Sequence, residues 1–219
     1  MVNILKLRPV MAQARGTDRQ ADGTGRLYRE GKRGMDHVKV KKRQLVHQGT
    51  IVDIYKDVVV LPSGGIETWD YVEHRTGASA VVAALPGDKI ILVRQYRPAL
   101  ERYTWELPAG GRDGEEDFEE AARRELSEET GYTSNEFTHL MSLRTTPAFC
   151  NERVEIYLAS DCYKVADQKL DEAEAIEVKA WDVEVLLEMV YSGQLQDAKT
   201  VAGVTAYKAF STSWAYDGK

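Results

Sequence analysis

Glu125, Glu128 and Glu129 stand at positions i, i+3 and i+4 of one segment. On a helix that spacing puts three carboxylates on one face, with Cβ atoms about 5–6 Å apart. At about 5 Å and an effective dielectric near 20, each close pair repels by on the order of 3 kcal/mol. Two arrangements offset the repulsion. Arg123 and Arg124 can serve as counter-charges on a solvated acidic face. Alternatively, a hard divalent cation can gather the oxygens, and Mg²⁺ typically takes one or two protein carboxylates and leaves its other positions to water and phosphate oxygens. The three glutamates by themselves leave both arrangements open.

The segment around them reads as a helix from about Asp117 to Thr130, because Phe118, Ala121, Ala122 and Leu126 form an apolar stripe at three- and four-residue spacing. Gly131 follows where a left-handed cap is wanted. Upstream, 38–46, 50–61 and 67–74 mix apolar, tyrosine and charged residues in rough alternation, with Pro62-Ser63-Gly64-Gly65 as a turn between the last two. These predict a meander of antiparallel strands. Residues 78–85 and 89–96 are richer in Val, Ile and Leu and flank Pro86-Gly87-Asp88, so they predict a hairpin buried on both faces. A short stretch at 103–107 precedes Pro108-Ala109-Gly110-Gly111 and then a loop. Strands at 137–143, 154–160 and 176–181 and helices at 183–192 and 197–215 complete the pattern. Strands alternating with a few helices, without a regular βαβ cadence, predict an α/β fold in which helices cover a mixed sheet.

From Gly110 the chain runs through five residues to Glu116, seven more to Arg124-Glu125-Leu126, then Glu128-Glu129, Gly131 and Tyr132. This 23-residue signature, 110–132, resembles the Nudix box of the Nudix hydrolases. It matches at every fixed polar and glycine position and departs at Tyr132, where the family usually has an aliphatic residue. The resemblance implies that Glu125 and Glu129 ligate divalent cations, Mg²⁺ or Mn²⁺, with Glu128 as a further ligand and the carbonyl of Ala109 joining them. Arg124 and Glu116 would be an ion pair tying the helix to its preceding loop. The chemistry implied is attack of water on a phosphorus of a nucleoside diphosphate linked to another moiety. That fits metal ions that neutralise a diphosphate and lower the pKa of water while a carboxylate takes the proton.

Outside the box the chain resembles the ADP-ribose and ADP-sugar pyrophosphatase subgroup. Pro147 stands sixteen residues beyond Gly131, and 147–152 is similar to the subgroup's Pro-Gly-Phe-Ser-x-Glu loop, with Ala148 and Cys150 as departures. Gln95-Tyr96-Arg97-Pro98, Glu106-Leu107-Pro108-Ala109-Gly110 and Asp197-Ala198-Lys199-Thr200 match its style as well. On this resemblance Arg97 is a phosphate contact, for which a guanidinium fork suits two oxygens, or else a surface ion pair. Trp69 stacks on adenine or packs within its strand. His74 is a basic substrate contact or a structural histidine. Glu106 is a further substrate-binding candidate, and Glu152 meets a ribose or a metal-bound water. Glu174, in the acidic run 171–176, is the candidate general base, with Glu172 second; an ordinary solvated loop is the other account of that run. Glu128 and Glu129 complete the catalytic set.

The expectation is a Mg²⁺- or Mn²⁺-dependent hydrolase converting ADP-ribose to AMP and ribose 5-phosphate. Alternatives are a hydrolase of another nucleoside diphosphate sugar such as GDP-mannose, and a non-catalytic ADP-ribose-binding Nudix-like regulator. The subgroup implies a homodimer, with an N-terminal antiparallel β region, 35–76, packing across the interface ahead of a hydrolase domain at 77–219. Residues 1–34 carry eight Lys or Arg against three acids and no apolar period after Val10, and read as a disordered basic extension. With a net charge of -6, the remainder is near -11. So acidic a body, with no DNA-binding motif, argues against nucleic acid as a partner. No apolar run approaches the roughly 18–20 residues of a membrane span. Two cysteines in 219 residues make no disulfide framework and suggest a cytoplasmic protein.

Overall fold

A computed structural model describes residues 36–170 and 175–217, from 212 onward by the backbone alone. The expected meander forms a three-stranded antiparallel sheet of β1 (Lys39–Gln48), β2 (Val52–Val60) and β3 (Ile66–His74), in that order. Two ion pairs staple it. Arg43 forks onto Asp57 at 2.7 and 2.6 Å while its guanidinium lies 3.6 Å from the Tyr71 ring centre, and Arg75 pairs with Asp53. The far end of β3 is joined to the 146–151 loop, where Val72 exchanges backbone hydrogen bonds with Phe149 and Asn151.

The second sheet is mixed. It holds β4 (Ala78–Leu85), β5 (Lys89–Arg97), β6 (Arg102–Glu106), β7 (Ala109–Gly111), β9 (Glu136–Arg144), β10 (Arg153–Ser160) and β12 (Glu177–Asp182), with the order β12-β5-β4-β10-β9. β4 and β10 run parallel, and the other pairs are antiparallel. The expected hairpin is present but splays. β4 and β5 pair only between 83–85 and 89–91; β7 then lies along β4 and β6 along β5. The sheet is split there, and the segment 106–111 runs through the split. The pairing of β7 was not legible in the sequence, where Pro108 to Gly111 carry no strand period. Two further short strands were missed, β8 (Tyr132–Thr133) and β11 (Tyr163–Lys164), which pair with each other.

Helices cover both faces. α1 (Phe118–Thr130) packs Ala122 and Leu126 onto Val81, Ala83, Ile91 and Tyr157. On the other face Val82, Ile90, Leu92, Ile156 and Leu158 meet Leu186 of α2 (Val183–Tyr191) and Val204 of α3 (Ala198–Asp217). The alternation along β4 and β10 sends odd and even residues to opposite layers, which is why both strands carry apolar side chains on both faces. Tyr132 stays partly buried against the α1-side layer, as its ring requires.

Candidate active site

α1 is delimited on both ends by its sequence. Asp117 caps it through a reciprocal box with Glu120, at 2.8 and 3.2 Å. Gly131 ends it at φ 72°, and a Cβ there would sit 2.2 Å from the Ala166 carbonyl oxygen. The helix therefore presents Glu125 and Glu129 to the sheet split. Glu129 is buried and accepts from the Ala109 N–H at 2.9 Å. Glu125 lies against Gly110, where a Cβ would come 1.9 Å from its Oε1, so only glycine leaves room for this carboxylate. Glu128 is more exposed.

Arg124 organises the rest. Its guanidinium pairs with Glu116 through two 3.0 Å contacts, donates to the Gly111 carbonyl at 2.9 Å, and reaches Glu125 at 2.8 Å and Glu128 at 3.1 Å. Hydrogen bonding to Glu116 above all raises the pKa of Arg124 further and lowers that of Glu116, so both stay charged. Arg124 thus serves as a counter-charge to Glu125 and Glu128, while Glu125 and Glu129 lie against β7.

Among the described residues no three His, Cys, Asp or Glu side chains already surround one point. Glu125 and Glu128 lean on Arg124, so a cation would compete with that guanidinium for them. The donor set nevertheless fits a hard divalent ion: its carboxylate oxygens are the ligands such an ion prefers, and the glycine cradle keeps Glu125 beside the Ala109–Gly110 strand.

Next to this strand lies a second charged cluster. Glu106 is 2% exposed and accepts from Arg97 Nε and Nη2 at 2.7 and 2.6 Å, from Thr104 at 2.6 Å, and from Lys199. Burial alone would push this carboxyl up, but the donors from Arg97 and Lys199 outweigh it and hold the pKa at about 2. Arg97, half exposed, also feels the negative charge of Asp197 and Glu129. Its fork is occupied by the buried Glu106. Lys199 and Thr200 were not legible as individuals within the Asp197-Ala198-Lys199-Thr200 motif. Thr200 accepts from the Leu107 N–H at 2.9 Å while donating to Asp197 at 2.6 Å, so the start of α3 and the 106–109 segment are fastened together.

His74 and Glu152 are brought together. His74 Nδ1 accepts from the Gly77 N–H at 3.1 Å, and its Nε2 is 3.9 Å from Glu152 Oε1. They border the turn that leads to Ala78, which pairs with Gly111, so they adjoin the box strand. Trp69 stands apart, 42% exposed at a groove of about 590 Å³ that it shares with Ile54, Val72, Ala148 and Phe149. Glu174 and Glu172 lie outside the described residues, as does the 1–34 extension.

The NUDIX domain family matches residues 73–202. A curated relative, the ADP-ribose pyrophosphatase of Bacillus subtilis, is 37% identical over 163 residues, spanning 74% of this chain and 88% of that protein. The ADP-ribose pyrophosphatase of Mycobacterium tuberculosis is 37% identical over 175 residues, 78% of this chain and 84% of the relative. Among solved structures, an ADP compounds hydrolase superposes with a TM-score of 0.74 at 21% identity, over 82% of this chain and 97% of its own, which is a likeness of fold.

Proposed function

The chain belongs to the NUDIX domain family, and on that premise we propose that it hydrolyses the diphosphate of ADP-ribose to AMP and ribose 5-phosphate with Mg²⁺, or Mn²⁺ in its place. The observation that carries this is the 37% identity to an ADP-ribose pyrophosphatase over 88% of that protein. It is supported by a box whose glutamates converge on the strand at the sheet split.

Glu125, Glu129 and Glu128, with the Ala109 carbonyl, are the residues that would hold the cation. Bound there, it would neutralise the diphosphate and acidify water. The chain's own residues do the rest. Arg124 fixes the box loop and screens the carboxylates from one another. Glu106 holds Arg97 and Lys199 as a cationic pair beside the site, from which Arg97 can turn to a phosphate oxygen. Trp69 offers the adenine a flat apolar face, and the His74–Glu152 pair receives the ribose. A carboxylate of the 171–174 run, Glu174 before Glu172, takes the proton as the water oxygen bonds to phosphorus and the bridging P–O bond breaks, the other phosphate leaving with that oxygen.

A homodimer formed through the 35–76 region completes the reading, with 77–219 as the hydrolase domain. Its support is the exposed apolar surface of β1, where Val40, Leu45 and Val46 lie open. Cytoplasmic residence is supported by two unpaired cysteines and by the lack, among the described residues, of a helix long and apolar enough to cross a membrane.

Glu174→Gln is the test of the base. A general base contributes about 10²- to 10⁴-fold, so kcat should fall within that range with KM for ADP-ribose nearly unchanged. A variant altered in KM alone would remove Glu174 from this role.

A further inference from the structure

Glu128 and Glu129 sit at the carbonyl end of α1, where the macrodipole is negative, and the last turn carries no basic residue to offset it. Repulsion among the glutamates adds to that penalty. A helix end in this condition frays unless its last carbonyls find donors. One segment supplies them. The Lys169 N–H donates to the Glu128 carbonyl at 2.9 Å, and the Val165 and Ala166 N–H groups donate to the Gly131 carbonyl at 2.9 and 3.2 Å. The Glu129 carbonyl accepts from the side chain of Gln168, whose Nε2 stands 2.7 Å away.

The same Nε2 is also 3.1 Å from the carbonyl of Ile176, immediately before β12. A primary amide nitrogen has two hydrogens, one for each carbonyl. Gln168 thus ties the turn that bears Glu128 and Glu129 to the strand region at Ile176. Gly131 is what lets the segment come so close, since any Cβ would strike Ala166.

We propose that Gln168 is a positioning residue for the cation: by bridging the Glu129 and Ile176 carbonyls it holds the last turn of α1, and with it the Glu128 and Glu129 carboxylates, in the place where a divalent ion is bound. This rests on the reading of the box glutamates as ligands, and adds a residue outside the box to the metal site.

The test uses the full chain and Mn²⁺ as probe, with free Mn²⁺ counted by electron paramagnetic resonance during titration. Gln168→Met keeps the length and volume of the side chain and removes both donors. Residues that support metal ligands typically change affinity 10- to 100-fold, so Mn²⁺ binding should weaken about tenfold, and the Mg²⁺ needed for half-maximal turnover should rise alongside it. KM for ADP-ribose at saturating Mg²⁺ should stay within about twofold, because the substrate contacts are elsewhere. Mn²⁺ affinity within about twofold of wild type would overturn the proposal whatever the melting temperature did, since a plain helix cap lowers stability without touching affinity. Should the methionine variant not fold, Gln168→Asn, whose amide is one methylene too short to span both carbonyls, carries the same comparison. A wild-type protein that binds no Mn²⁺ would overturn the ligand reading and this inference together, whereas equal binding by wild type and variant overturns the inference alone.

Discussion

Glu106 shows how one buried carboxylate decides the behaviour of its neighbours. It is enclosed, yet donors from Arg97, Lys199 and Thr104 keep it ionised, with a pKa near 2 against an ordinary 4.5. A depressed pKa means that the folded state binds fewer protons than the unfolded one, so the contribution is complete above about pH 4.5 and is lost as pH falls through about 2. Glu106→Gln leaves Arg97 and Lys199 without their shared counter-charge, and breaking a buried pair costs about 3–5 kcal/mol. Denaturant unfolding at neutral pH should register that loss. Repeated toward pH 2, the gap between variant and wild type should close, because wild-type Glu106 is then protonated too. A gap that stays constant with pH would contradict the ionised assignment. The sequence showed Arg97 and Glu106 as separate substrate candidates. Their mutual engagement was not legible, because nothing in the spacing of 97 and 106 says how β5 and β6 will pair: Glu106 stands opposite Val93 and Arg97 opposite Arg102, and the guanidinium reaches along the ladder to the carboxylate.

At the scale of elements, the box helix was the most legible part of the chain. Its stripe, its carboxylate spacing and its glycine stop were all local signals, and they recur in the structure with the start shifted by one residue to Phe118. The splayed β4–β5 hairpin was not legible, since both strands carry apolar side chains on both faces and apolarity does not report which neighbour a strand keeps. Nor were β8 and β11, two-residue strands too short to carry a period. The structure also gives Gly131 a second task. The sequence placed it as a left-handed cap, and its φ of 72° agrees, but it also admits the 165–169 segment that caps the helix from outside. Gly131→Ala therefore meets both backbone strain and a clash with Ala166, and should destabilise the fold by about 1–3 kcal/mol. Chemical denaturation measures it. A loss of only a few tenths would mean that the segment gives way freely and that the close packing is dispensable.

For the whole molecule, the proposal to test is the homodimer formed through the 35–76 region. All ten residues of β1 are exposed, among them Val40, Leu45 and Val46, and apolar side chains left open on an edge strand support the proposed interaction surface. Light scattering after size exclusion should give twice 24.6 kDa for the wild type, and Leu45→Glu should shift the population toward monomer. A wild type that is monomeric at micromolar concentration would remove the dimer. The catalytic claim is tested most directly by incubating ADP-ribose with the protein, with Mg²⁺ or with chelator, and separating the products. AMP and ribose 5-phosphate should appear in equal amounts with Mg²⁺ and not at all with chelator, and turnover should fall by at least about 100-fold in Glu129→Gln, which keeps the size of the side chain and removes its charge. Product formed equally well in chelator, or undiminished in Glu129→Gln, would contradict the claim.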